Sequence, residues 1–210
     1  AAPLKEMFEQ GNVAVVQGIG YENSSRSHFR AMDIWHTCEP DKIGTEGWLG
    51  RAIRELDPKK ENVLTGVNFG RGLPRALSAP GVPISSVGDL DNYGLMTGIA
   101  EEQRRNRALE IFKNMYGPAI GTDPVMDYLA QTGLDTLNGA DMLKQAPGMY
   151  SSEVEYGTTS LAQNLRDIAM IHSAGLGTQV FYTEHTGYDT HANENPTQPG
   201  LLNEDRKSVV

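Results

Sequence analysis

Two distant stretches of this chain carry side chains suited to metal-assisted chemistry. His185, Asp189 and His191 fall within seven residues near one end, and Ser27 and His28 sit together far upstream. Imidazole and carboxylate suit zinc, manganese or iron. Asp189 and His191 are two residues apart, so an extended backbone places both on one side. His185 needs a turn to join them, and Gly187 permits one. The plainer alternative is that Asp189 and His191 bond loop backbone and cap a following turn. Ser27 is a candidate nucleophile if a metal ion lies beside it, with helix capping as the competing role. Arg26 and Arg30 flank it and suit bidentate binding of phosphate or sulfate; solvation, or pairing with Glu22 and Asp33, is the alternative. His28 is open between base, ligand and packed residue.

Bringing such stretches together requires a scaffold. The apolar run 13–16, within residues 12–17, reads as a strand buried on both faces. Residues 178–183 read as another. Asn23-Ser24-Ser25 supplies capping residues for a helix over 26–36, with Phe29, Met32 and Trp35 on one face. Helices are also expected over 3–10, 48–56, 101–115 and 159–174, the second of these ended by Asp57-Pro58. Asp123-Pro124 opens another, running to about 131 and restarting over 134–144. Residues 62–69 and 82–87 read as strands, and 201–210 as the start of a final helix. Strand and helix alternate at both ends, which predicts an α/β fold: a parallel sheet with flanking helices. After parallel strands, loops converge on one sheet edge, where ligands bind. The helical stretch 98–150 is either an insertion over the site or a cover for one sheet face.

The 210 residues suffice for one domain with a real core. Net charge is −9, which argues against nonspecific nucleic-acid binding; a small anionic substrate remains compatible, because a bound metal inverts the local field. No apolar run has the length of a membrane span. Cys38 is the only cysteine, so no internal disulfide forms, and its acidic neighbours Glu39 and Asp41 do not suit a thiolate nucleophile. Residues 66–72 lack a Gly-Lys-Ser/Thr ending and form no P-loop. No serine lies in a Gly-x-Ser-x-Gly elbow.

Four ordered motifs resemble one bacterial family. They are Val15-Val16-Gln17-Gly18-Ile19-Gly20-Tyr21, Arg26-Ser27-His28-Phe29-Arg30-Ala31-Met32-Asp33-Ile34-Trp35, Gly47-Trp48-Leu49-Gly50-Arg51 and Tyr188-Asp189-Thr190-His191-Ala192-Asn193. The family is domain of unknown function 1501, a sulfatase-like group of the alkaline phosphatase superfamily. The resemblance runs over nearly the whole chain.

It implies an alkaline-phosphatase-like sheet, incomplete here at both termini, with the whole chain forming one partial domain. It implies an exported, periplasmic protein of twin-arginine type. It further implies two divalent metal ions, zinc, manganese or similar, and a serine or threonine nucleophile. Ser27 matches the nucleophile, with Ser25 in reserve, and Asp189 and His191 match metal ligands. The family's remaining ligands come from segments before residue 1 and after residue 210, so this excerpt alone is expected to be inactive or metal-poor. The implied activity is hydrolysis of small phosphate or sulfate esters. Alternatives are a noncatalytic exported binding protein on the same fold and a metal-free serine hydrolase.

Overall fold

The computed structural model describes residues 2–91, 93, 98–99, 101–119 and 123–207. Eight α-helices, two single-turn 3-10 helices and three strands occur among them. The α-helices are α1 (Ala2–Glu9), α2 (His28–Thr37), α3 (Trp48–Leu56), α4 (Glu102–Tyr116), α5 (Pro124–Leu143), α6 (Ala146–Met149), α7 (Ser160–Ser173) and α8 (Glu194–Lys207). The strands are β1 (Gly66–Phe69), β2 (Ser85–Val87) and β3 (Val180–Thr183), in the spatial order β2-β1-β3 and parallel throughout. The expected architecture, a parallel sheet with flanking helices, is therefore present in a small open form.

β1 is central and buried along its length. Its side chains alternate between two faces. Val67 and Phe69 join Val87, Leu143, Ala146, Met170 and Ile171 in the main core, where α6 and α7 cover the sheet. On the opposite face, a Cβ at Gly66 would stand 2.5 Å from Ile53 Cδ1. Only glycine lets α3 pack that close. α5 sits against β2 in the same way, with Gly139 facing Ser85 Oγ.

Asp57 sets the entry to β1. It caps the C-terminus of α3, and its carboxylate accepts hydrogen bonds from Glu61 N and Asn62 N, both at 2.9 Å, and from Thr65 Oγ1 at 3.1 Å. Those donors hold its pKa below the ordinary carboxylate value. At the exit, Asn164 of α7 donates to Phe69 O at 3.3 Å and to Thr183 Oγ1 at 2.8 Å. The carboxyl ends of β1 and β3 are thereby pinned to one helix, and the loop after β3 leaves from a fixed point.

Three expectations need correction. Residues 12–17 form no strand: they pair with no strand among the described residues, and Val15 and Val16 are exposed. An apolar run becomes a strand only where neighbours satisfy its backbone. α5 is one continuous helix, not two, because Gly133 costs only about 1 kcal/mol in a helix interior and Thr136 Oγ1 bonds back to Thr132 O at 2.7 Å across the expected break. α8 begins at Glu194, seven residues before the expected start, with Pro196 in its first turn and Pro199 just inside it. Residues 208–210 of the expected last helix lie outside the described residues.

No helix among the described residues is long and apolar enough to cross a membrane.

Candidate metal centre

α2 is positioned by its C-terminal half. Arg30 pairs with Asp33 and donates to three carbonyl oxygens of the following loop: Glu39 at 3.3 Å, Pro40 at 2.8 Å and Lys42 at 2.7 Å. Arg75 reaches Asp33 at 2.8 Å and also Gly44 O. Thr37 is fully buried, donates to Asp33 O at 2.8 Å, and its own carbonyl accepts from Arg51 of α3 at 2.8 Å. The N-terminal end of α2 is left projecting, with Phe29 91% exposed.

Ser27 is the N-cap of α2: its backbone is extended and its Oγ accepts from Arg30 N at 3.4 Å. The capping expected of Ser24 and Ser25 falls to Ser27, while Ser25 Oγ accepts from Ser27 N at 3.1 Å. Arg26 is exposed beside it.

His28, the first residue of α2, points at the loop after β3. Its Nε2 lies 2.9 Å from His191 Nε2 and 3.5 Å from Asp189 Oδ1. His191 Nε2 and Asp189 Oδ1 are 2.7 Å apart. The two imidazole planes are tilted by 40° with centroids 5.0 Å apart, so the nitrogens converge while the rings splay. Among the described residues this is the only group of three or more His, Cys, Asp or Glu side chains with ligand atoms this close together. All three side chains are about two-thirds exposed.

The triangle fits a cation. A tetrahedral zinc with ligand bonds of about 2.0–2.1 Å holds its ligand atoms roughly 3.3 Å apart, against sides here of 2.7, 2.9 and 3.5 Å. Two neutral imidazoles and one carboxylate are a donor set for zinc, manganese or iron. Three protein ligands leave one tetrahedral position for water or substrate, the arrangement of catalytic rather than structural zinc. A divalent ion with one carboxylate leaves one net positive charge, which favours an anion at that open position.

The other expected site residues lie as follows. His185, expected with Asp189 and His191, is outside this group: its Nε2 meets Glu204 Oε2 at 3.2 Å and its Nδ1 meets Tyr188 OH at 3.2 Å. His28, expected beside the nucleophile, takes the third place. Arg30, expected to clamp substrate, has its guanidinium occupied by Asp33 and the 39–42 loop. The spacing of Asp189 and His191 is legible in the sequence. Nothing local marks His28 as their partner, because that contact spans 163 positions. An open groove of about 820 Å³ lies elsewhere, lined by Lys60, Ser85, Tyr93, Asp127 and Gln131 among others, and shares no residue with the cluster.

Comparison of the chain with family models, with curated proteins and with solved structures finds no match.

Proposed function

We propose that His28, Asp189 and His191 bind a divalent transition-metal ion, and that the site acts on small phosphate or sulfate esters with Ser27 as the attacking group. The observation carrying this reading is the convergence of His28 with Asp189 and His191 into a triangle of ligand atoms. A bound divalent ion would supply Lewis acidity and lower the pKa of a nearby hydroxyl. Ser27 immediately precedes His28 and caps the helix that His28 begins. Arg26, exposed at the same helix start, is suited to an ester's anionic oxygens. The helix N-terminus adds backbone N–H groups and a favourable dipole for an anion.

A second reading has one observation in its favour. Ser27 Oγ already accepts from Arg30 N, which suits a capping residue at a metal-binding site without turnover. Hydrolysis of an aryl phosphate or aryl sulfate by the full chain with added zinc or manganese separates the two. Metal-dependent turnover that is lost in Ser27→Asn supports the hydrolase. Metal binding with no turnover of either ester supports the binding protein.

A further inference from the structure

His185 carries metal-ligand chemistry and lies four residues before Asp189, yet its surroundings differ from those of the cluster. Its side chain is 16% exposed, against 67% and 69% for Asp189 and His191. Both ring nitrogens are engaged, Nε2 by Glu204 of α8 and Nδ1 by Tyr188. With the ring proton on Nε2, the imidazole donates to the carboxylate and accepts from the phenol, so one tautomer satisfies both contacts. The Tyr188 ring stands edge-on to the imidazole at 88°, with centroids 5.2 Å apart.

A second, independent contact presses the same loop onto α8. Gly187 has φ +103°, and a Cβ built there would stand 3.3 Å from Leu201 Cδ2. Only glycine takes that backbone conformation without strain, and α8 fills the space on its open side. Tyr188 O then accepts from Thr190 N at 2.9 Å, which closes a turn around Asp189. An unbroken set of contacts thus runs from Leu201 and Glu204, through His185 and Tyr188, to the backbone that carries Asp189 and His191.

We propose that His185, Tyr188 and Glu204 form a hydrogen-bonded clamp that fixes the 187–191 loop against α8 and positions Asp189 and His191 toward His28, so that His185 is a positioning residue and not a metal ligand. The role in metal binding rests on the metal reading above; the clamp itself does not. Groups that orient ligands in this way typically change metal affinity by about 10–100-fold when removed.

Co²⁺ titration of the full chain, followed by its visible spectrum and by amide hydrogen exchange, tests this. In Tyr188→Phe, Glu204→Gln and His185→Gln, one Co²⁺ is still bound with unchanged band positions, about 10–100-fold more weakly than in wild type. Amides of residues 187–191 exchange faster in all three. Tyr188→Phe removes one oxygen from a partly exposed ring, so it reports even if His185→Gln fails to fold. A shift of the Co²⁺ bands in His185→Gln, marking a lost ligand, overturns the proposal. Unchanged affinity together with unchanged exchange in Tyr188→Phe and Glu204→Gln also overturns it, while leaving the metal reading intact. Faster exchange in a chain whose wild type binds no Co²⁺ removes the metal reading and upholds the clamp.

Discussion

His28 Nε2 lies 2.9 Å from His191 Nε2, although 163 positions separate the two residues. The contact joins the first residue of α2 to the loop leaving β3. Each partner is held from behind. α2 is anchored through Arg30, Asp33, Thr37 and Arg75, and the β3 exit through Asn164 and Thr183. Two exposed imidazoles brought nitrogen to nitrogen beside a carboxylate suit a shared cation, which gives all three ligand atoms one common partner.

Ser27 is assigned two roles that one substitution separates. Ser27→Ala removes both the cap and the hydroxyl, and is expected to cost about 0.5–1 kcal/mol of stability. Asparagine is as good an N-cap as serine but no comparable nucleophile. Ser27→Asn therefore keeps the melting temperature near wild type and abolishes metal-dependent ester turnover. Thermal denaturation and a turnover assay on the same samples check this; retained turnover in Ser27→Asn removes the serine from the chemistry.

Arg30 is expected to act through structure. Lysine retains the charge but not the planar fork that reaches Asp33 and three carbonyl oxygens. Arg30→Lys should destabilise the fold by about 1–3 kcal/mol in urea denaturation. A residue that only clamped substrate would instead raise KM and leave the denaturation midpoint in place.

Legibility in the sequence followed the range of the interactions. α3 and the start of α5 were readable because Asp57-Pro58 and Asp123-Pro124 act within one turn, and α7 begins one residue after its cap, Thr159. The parallel sheet was expected from alternation of strand and helix at both ends; of the strands in that reading, those at 62–69, 82–87 and 178–183 each contain an observed strand. The run 13–16 misled because strand formation depends on a distant neighbour that composition does not reveal. The extra turns of α8 carry Pro196 in the first turn, where proline is tolerated, and Pro199 inside the helix, where it removes a backbone hydrogen bond and weakens the local helix signal. At the centre, the pairing of Asp189 with His191 was local and visible. His28, left open between base, ligand and packed residue, takes the place expected of His185: which histidine reaches the pair depends on α2 docking and on the contact of α8 with Gly187, both set by tertiary packing.

Gly47 should be intolerant of any side chain. A Cβ there would stand 2.1 Å from the carbonyl oxygens of both Arg75 and Ala76, which are backbone atoms of the turn beside α3. Gly47→Ala is expected to destabilise by at least the roughly 1–3 kcal/mol typical of overpacking, and by displacing the Arg75 turn to weaken the support of α2. Calorimetry on the variant decides; a wild-type melting temperature would show that the approach is not that close.

Stability should fall at both ends of the pH scale for separable reasons. Asp57 has a folded pKa below its ordinary value of 3.8, because backbone donors favour its charged form. Its contribution is present above 3.8 and is lost as pH falls through the lower folded value. Tyr182 is pushed up to about 12 by burial and by its hydrogen bond to Glu184. Its contribution is full below the ordinary value of 10 and is lost as pH rises through about 12. Denaturation midpoints across pH should show a flatter acid limb in Asp57→Asn. Ultraviolet titration of Tyr182→Phe should lack the latest-ionising tyrosine, and an unchanged titration would place that phenol in water.

Zinc binding by the full chain tests the central assignment most directly. Titration calorimetry, with metal analysis after dialysis, should give one ion per wild-type chain. Binding should be lost or greatly weakened in each of His28→Ala, Asp189→Asn and His191→Ala, while circular dichroism stays unchanged because all three side chains are exposed. Zinc uptake that is absent in wild type, or that survives intact in His28→Ala, would contradict a metal centre shared between α2 and the loop after β3.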